Sequence, residues 1–343
     1  MIEEELKDYP LVSILISAYK AEEFLASACE NALSQSWPNK EIVIIDNESE
    51  DSTYEIALSF KQRNVKIVRQ KHTPLGGSRN KGIEASTGDY IQFMDVDDYM
   101  LPNKIEVQME RLLDNNLGFL ATCCWGIFHN DISDVTFRPD QLWHNLTPEN
   151  HLFNLYRYGL MTPVNSYLIP RHLIEKVAPW NSTLLIGEDS EYFSRLIQVA
   201  QGVLFCDETN VYYQKGDPNS LSQINAEKIS SMYCSLQMIE SNILRYKNNG
   251  KMRSAVSANY QNFVHQVYPF FPEYTLKAEK DAKRLSRVKL QRSGSKLYIF
   301  LSKLIGWKLA RRIELYTLKH GLNRSMLKKR FSRNIRIAGN PTN

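Results

Sequence analysis

The residues GGSRNKGIEASTGDYIQFMDVDD, numbered 76–98, decide the fold of this 343-residue chain. The first half has the composition of a helix, and YIQFM at 90–94 is an apolar run of strand length. The carboxylates of Asp95, Asp97 and Asp98 follow directly. A helix, a strand and then a polar cluster are typical of parallel α/β sheets, in which ligands bind beyond the carboxyl ends of the strands.

Upstream of these residues, strands and helices alternate in the same way. The pattern predicts strands at 12–18, 41–46 and 65–69, and helices at 22–36, 52–62 and 77–85. Ser52 and Glu55 have the spacing of a capping box at the start of the second helix. We therefore predict the α/β class, with a mostly parallel, Rossmann-like sheet flanked by helices.

After the first hundred residues, the predicted secondary structure and the charge of the chain change. We expect aromatic-rich loops around 125–143, a helix at 189–201, and helices only from 224 onward. The predicted domains are therefore 1–222 and a helical, basic extension over 223–343. Residues 276–343 contain 19 Lys and Arg and three acidic residues, whereas acidic residues are in excess in the rest of the chain.

Targeting features suggest a cytoplasmic protein. The first ten residues are acidic and lack the apolar run of a signal peptide, and no stretch has the roughly 18 apolar residues of a spanning helix. The five cysteines show no metal-ligand or paired spacing, so we expect free thiols in a reducing compartment.

Polar clusters are expected at three neighbouring positions of the sheet edge. Asp46 and Asn47 end the second strand, Arg79 lies at the start of a helix that would attract phosphate, and Asp95 and Asp97 follow the fourth strand. Carboxylate oxygens suit Mg²⁺ or Mn²⁺, which can bridge a protein to a diphosphate. Each cluster alone also has a structural explanation, as an acidic turn, a loop or a surface ion pair. Their coincidence in one sheet favours a binding site.

Four motifs together resemble the family 2 inverting glycosyltransferases with a GT-A fold. They are VSILISAYKAEEFLASACENALSQSWPNKEIVIIDNESEDST at 12–53, residues 76–98, Pro163-Val164, and IGEDSEYF at 186–193. The resemblance covers about residues 10–220. It implies transfer of a sugar, with inversion, from a nucleoside diphosphate sugar, UDP first, to a saccharide acceptor.

The resemblance also implies roles for individual positions. The donor would bind within 11–100, and 101–222 would form the acceptor side. Nucleotide-sugar contacts fall on Ser17, Ala18, Tyr19, Asp46, Asn47, Arg79, Asp95 and Val96. Asp97, with Asp95, would hold a divalent cation, Mn²⁺ or Mg²⁺. Asp189 would be the general base, with Glu188 beside it, although acids at a helix start can also be simple caps.

The chain departs from the family pattern at several places. Lys20 stands where Asn is common, Asn47 where a second Asp is common, and Glu48 where Gly is usual. Residues 212–217 lack the Arg and His that often occur there. These departures leave the choice among UDP, GDP and dTDP open.

Residues 296–316 have the pattern of a basic amphipathic helix with an aromatic residue, Trp307. Leu297, Phe300, Leu301, Leu304, Ile305, Leu309, Ile313 and Tyr316 recur at helical spacing. Such a helix would lie on an anionic membrane surface, on the inner face of the cell membrane, or would dock on the acidic body. The first alternative suits a lipid-linked saccharide acceptor and a role in polysaccharide assembly. We do not expect nucleic acid as a partner.

Two other functions fit parts of the sequence. A sugar nucleotidyltransferase also combines a parallel sheet with carboxylates that bind Mg²⁺, but it usually has a glycine-rich basic loop after the first strand, where this chain has residues 17–22 (SAYKAE). A non-catalytic carbohydrate-binding protein could keep the fold without turnover. The intact Asp95, Asp97 and Asp189 favour an enzyme.

Overall fold

The structure, a computed structural model, describes residues 9–115, 118–129, 131–215, 225–287 and 296–319. The chain forms two compact units. One comprises Met1–Leu155 and Leu160–Lys215, and the other Tyr156–Gly159 and Gly216–Asn343. The predicted domain boundary between 222 and 223 lies outside the described residues and stays a prediction.

The first unit contains two sheets. Its strands are β1 (Val12–Ala18), β2 (Lys40–Asp46), β3 (Val65–Arg69), β4 (Tyr90–Asp95), β5 (Tyr99–Met100), β6 (Phe119–Phe128), β7 (Thr136–Phe137), β8 (Ile169–Pro170) and β9 (Gly202–Gln214). The order in the first sheet is β3-β2-β1-β4-β8, and only β8 is antiparallel to its neighbour. This is the mostly parallel, Rossmann-like sheet that the sequence predicts.

Helices flank the sheets of this unit. They are α1 (Leu25–Leu33), α2 (Thr53–Ser59), α3 (Leu75–Ala85), α4 (Lys104–Leu113), α5 (Pro148–Tyr158), α6 (Arg171–Ile174) and α7 (Glu188–Val199). Of these helices, α5 belongs to the unit only as far as Leu155. Ile14 and Ile16 of the central strand β1 are fully buried, because strands flank β1 on both sides and helices pack on the faces of the sheet. The sheet is therefore a rigid support for the loops that follow its strands.

The capping box predicted at the start of α2 is wrong. Ser52 makes no side-chain capping hydrogen bond, because its backbone is not in the extended conformation that an N-cap residue usually adopts. Asp51 has that role instead, and its Oδ1 accepts from the Thr53 backbone N at 3.2 Å.

The aromatic-rich loops predicted around 125–143 are also wrong in part. Residues through Phe128 belong to β6, which pairs in parallel with β9 in the second sheet, whose order is β5-β9-β6-β7. β5 pairs with the end of β9, Tyr99 opposite Tyr212. This pairing brings the end of β9 next to the turn that contains Asp95, Asp97 and Asp98.

The second unit is helical in its described part, as predicted. Its helices are α8 (Ala226–Tyr246), α9 (Gly250–Val267), α10 (Pro272–Leu285), α11 (Lys296–Leu304) and α12 (Trp307–Lys319). The single amphipathic helix predicted over 296–316 is two helices, because Gly306 has a left-handed φ of +79° and ends the first of them. None of the described helices combines the length and apolarity that crossing a bilayer requires.

Candidate active site

The predicted donor residues lie at the carboxyl ends of three adjacent strands. Ser17 of β1 is in register with Asp95 of β4, and Ala18 is in register with Asp46 of β2. Ser17 is half-buried and Tyr19, the next residue after the strand, is exposed. The structure therefore gathers these positions at one edge of the sheet, where ligands bind in open α/β sheets.

Arg79 connects the two acidic motifs. Its guanidinium donates from Nη2 to Asp95 Oδ1 at 3.1 Å and from Nη1 to Glu188 Oε1 at 3.4 Å. The side chain is 3% exposed, and its guanidinium carbon lies 4.6 Å from the centre of the Trp180 ring. A residue predicted to contact the nucleotide is thus also the link between motifs that are 109 positions apart in the chain.

The start of α3 is packed against a protein segment. Asn80 Nδ2 donates to the Trp180 carbonyl oxygen, and the Trp180 backbone N donates to Asn80 Oδ1, both at 2.9 Å. A Cβ at Gly76 would lie 2.9 Å from the Asn181 carbonyl oxygen. The close approach at Gly76 is therefore to the 180–181 backbone, and this contact fixes the position of Arg79.

The second acidic motif opens α7. Gly187 precedes it with a φ of +83°, a left-handed conformation that favours glycine. Glu188 is buried, whereas Asp189 is only half-buried. Burial, and then the charge of Asp189, raises the pKa of Glu188 to about 7, although Arg79 acts in the opposite direction. Glu188 is engaged by Arg79, and Asp189 is the more accessible of the two carboxylates.

The turn after β4 concentrates negative charge. Burial, followed by the charges of Asp97 and Asp95, raises the pKa of Asp98 well above its ordinary value. Asp98 Oδ1 accepts from the Gln214 backbone N at 3.0 Å, and its buried Oδ2 accepts no hydrogen bond from the described residues. Burial and then the charges of this turn, with that of Asp189, also raise the pKa of Tyr213.

This donor set fits a divalent cation that a nucleotide shares. Asp95 and Asp97 are half-buried hard oxygen donors, and Asp98 has an unsatisfied oxygen beside them. Within the described ranges, no three His, Cys, Asp or Glu side chains are grouped to hold an ion by themselves. Mg²⁺ is usually bound through one or two carboxylates together with substrate phosphates and water, so two protein ligands suffice.

Asp46 and Asn47 have protein partners in this conformation. Asp46 is fully buried, its Oδ2 lies 3.0 Å from Arg69 Nε, and its Oδ1 accepts from the Ser49 backbone N at 3.2 Å. The Asn47 amide donates to the Thr73 carbonyl oxygen at 2.8 Å and accepts from the Thr73 N at 3.1 Å. Their contact with the base stays a prediction, and Arg69 is a residue that sequence reasoning missed.

Two departures from the family pattern adopt left-handed backbone conformations. Lys20 has a φ of +49° and Glu48 a φ of +62°. The Glu48 carboxylate accepts from the His72 backbone N at 3.0 Å, and the His72 ring lies 4.3 Å from that of Tyr19. Both turns are therefore formed without the usual Asn and Gly, and Tyr19 and His72 present an aromatic pair beside the predicted base position.

Some site residues could not be found from sequence patterns. Trp180 is buried between Arg79 and the ring of Tyr192, which stacks on it at 3.9 Å, yet no motif surrounds it. The sequence pattern indicates Tyr213 only as part of the stretch 212–217. Of that stretch, residues 216 and 217 lie outside the described residues. Val96 is half-buried between the two aspartates, and its predicted donor contact is not tested.

Comparison with known proteins identifies the family. The family model described as Glycosyl transferase family 2 matches residues 13–170, which contain the strand ends, Arg79 and the turn after β4. The predicted resemblance to glycosyl transferase family 2 is therefore confirmed for this part of the chain.

Curated relatives agree with this assignment. The chain is 29% identical over 223 residues to the uncharacterized glycosyltransferase EpsJ of Bacillus subtilis, which covers 63% of this chain and 64% of EpsJ. It is 30% identical over 146 residues to WfgD of Escherichia coli, a UDP-Glc:alpha-D-GlcNAc-diphosphoundecaprenol beta-1,3-glucosyltransferase, over 42% of this chain and 57% of WfgD. The chain thus spans less than two thirds of these relatives.

Solved structures show the same fold. S. aureus TarS residues 1–349, in complex with UDP-GlcNAc, align with a TM-score of 0.65 over 90% of this chain and 92% of the TarS chain. The sequence identity is 15%, so the likeness concerns the fold alone. The predicted GT-A fold with C-terminal helices is confirmed.

Proposed function

We propose that the chain is a metal-dependent, inverting glycosyltransferase that uses a nucleoside diphosphate sugar. The observation that carries the proposal is the link from Asp95 through Arg79 to Glu188, which joins the two acidic motifs through one guanidinium. UDP is the first nucleotide to test, because the TarS complex contains UDP-GlcNAc and WfgD is described as using UDP-Glc.

The donor side would be formed by the strand ends. Tyr19 and the His72 ring beside it would stack on the base, while Ser17 and Val96 would line the nucleotide. Asp97 and Asp95 would hold Mn²⁺ or Mg²⁺, which when bound neutralises charge on the diphosphate leaving group. Arg79 keeps Asp95 in a fixed orientation, because it is buried and ion-paired on both sides.

The acceptor side would be served by Asp189. An acceptor hydroxyl needs a carboxylate within hydrogen-bond reach to take its proton during attack on the sugar. Asp189 is accessible, and its Oδ1 accepts from the Ser190 backbone N at 2.6 Å, which holds the carboxylate at the start of α7. Glu188 is held by Arg79, so we assign it a positioning role. Attack from the face opposite the leaving group inverts the sugar carbon.

The acceptor to test is a lipid-linked saccharide. The description of WfgD names a diphosphoundecaprenol-linked sugar as acceptor. With such an acceptor, the proposed reaction would serve polysaccharide assembly at a membrane. A cytoplasmic location, where nucleotide sugars are made, stays part of this proposal.

The test is calorimetric titration of the full chain with UDP, GDP and dTDP, each with and without Mn²⁺. We expect one nucleotide to bind in a metal-dependent way and Asp97→Ala to lose this dependence. Asp134→Ala is the matched control, because Asp134 is an exposed aspartate outside the site. Transfer from the matching nucleotide sugar, with NMR of the product anomer, then tests inversion.

Several outcomes would count against the proposal. No binding of any nucleotide would favour a non-catalytic carbohydrate-binding protein. Release of pyrophosphate from a nucleoside triphosphate and a sugar 1-phosphate would identify a nucleotidyltransferase. Retention of the anomeric configuration would remove the single-displacement mechanism with Asp189 as base.

A further inference from the structure

The helices α11 and α12 form a hairpin with one packed side. Tyr298 is 2% exposed, and its hydroxyl lies 2.6 Å from His265 Nε2 of α9. The Trp307 ring lies 5.3 Å from that of Tyr268, and Ala310 is buried. These contacts hold the hairpin against α9 and the turn that follows it, so its geometry is fixed within the second unit.

The other side of the hairpin is apolar and exposed. The exposed side chains are Phe300, Leu304, Ile305, Leu309, Ile313 and Tyr316, with exposures from 36% to 65%. Phe300 and Leu304 are four residues apart on α11, and Leu309, Ile313 and Tyr316 are four and then three residues apart on α12, so each helix presents one apolar stripe. Several large apolar side chains together on a surface indicate a binding partner.

The charge of this segment favours an anionic partner. Residues 296–319 contain six Lys and Arg and a single acidic residue, Glu314. Glu314 is paired with Arg311 at 2.8 Å, and Lys308 is paired with Glu279 at 2.7 Å. Lys303 and Arg312 are exposed, and the Arg312 guanidinium carbon lies 5.5 Å from the centre of the Tyr268 ring. The exposed apolar side chains are therefore accompanied by positive charge.

We propose that the hairpin, residues 296–319, lies on the surface of an anionic phospholipid bilayer. Its apolar side chains would enter the boundary between headgroups and acyl chains, and Lys303 and Arg312 would reach the lipid phosphates. Nucleic acid would satisfy the charge but leave the leucines in water. The hairpin does not depend on the proposed transferase activity, although it would keep a transferase near a lipid-linked acceptor.

The test is co-sedimentation of the full chain with phosphatidylcholine vesicles that contain, or lack, phosphatidylglycerol. We expect binding that requires phosphatidylglycerol and weakens as salt is raised. The double variant Leu304→Glu/Leu309→Glu should bind at least about tenfold more weakly, because two leucines no longer leave water. Leu276→Glu, an equally exposed leucine on α10, is the matched control and should bind like wild type.

A second variant separates charge from apolar contact. Lys303→Ala/Arg312→Ala should weaken binding by about tenfold or more at low salt and have little effect at high salt. The proposal would be overturned if vesicle binding by wild type did not depend on phosphatidylglycerol, or if the Leu304→Glu/Leu309→Glu variant bound vesicles as wild type does. The proposal would also be overturned if the protein bound no vesicles but the hairpin was required for a dimer seen by light scattering, or for binding of RNA. Nucleotide titration of the same proteins reports on the proposed function separately.

Discussion

Arg79→Met tests the link between the two acidic motifs. The substitution keeps an apolar side chain beside Trp180 but leaves Glu188 buried without its cation. Removing one partner of a buried ion pair costs about 3–5 kcal/mol. Asp95 is 30% exposed and retains solvent, so we expect the lower end, about 3 kcal/mol of unfolding free energy at pH 8.

The cost should depend on pH, with a defined sign. The folded-state pKa of Glu188 is raised to about 7, above that of an unfolded glutamate, so the stability from its neutral form is lost as pH rises through 7. Below pH 6 Glu188 is largely protonated with or without Arg79. The difference between Arg79→Met and wild type should therefore fall to about 1 kcal/mol at pH 5.5.

Urea denaturation followed by tryptophan fluorescence measures this effect at both pH values. Arg79→Met, Glu188→Gln and the double variant form a mutant cycle, and we expect a coupling energy of at least about 1 kcal/mol at pH 8. Arg63→Met is the control, because Arg63 pairs with Glu30 at the surface and should matter by less than about 0.5 kcal/mol. Additive effects in the cycle, or a cost that does not change with pH, would refute the reasoning.

Two further predictions concern His151, which is buried on α5, and Gly187, which precedes α7. Burial lowers the pKa of His151 to about 4, so the stability that neutral His151 contributes is present above pH 6.5 and is lost as pH falls. In urea titrations, wild type should therefore lose about 2 kcal/mol more unfolding free energy than His151→Phe between pH 7 and pH 5. Equal losses in the two proteins would contradict this. Gly187→Ala should cost about 1–2 kcal/mol, since its φ is left-handed, whereas Gly250→Ala, with open space around it, should cost nothing in the same thermal melts.

Local patterns predicted the four parallel strands of the first sheet and the positions of their polar ends, but not the short antiparallel strand β8. The strands β1 to β4 are short apolar runs that end in polar residues, so both their type and their carboxyl ends could be recognised. The turn with Asp95 and Asp97 was found for the same reason. In each case the signal lies within about ten residues of the feature it predicts.

The features that were missed depend on contacts between distant segments. β6 is an almost continuous buried run, and only its parallel pairing with β9, more than eighty residues later, makes it a strand. The pairing of Arg79 with Glu188 requires α3 and α7 to be adjacent, which hydrophobic periodicity does not encode. Trp180 lies between them without any local motif, so its role follows from packing alone.

The shared guanidinium of Arg79 has a consequence for protein engineering. A chimera that keeps residues 1–100 and takes the proposed acceptor side, residues 101–222, from a relative would separate Arg79 from its partners. Such a chimera would keep Arg79 but replace its partner Glu188. It would also replace residues 180–181, which hold the start of α3 in place. A working chimera would therefore need its crossover points chosen so that α3, residues 180–181 and the start of α7 all come from one parent.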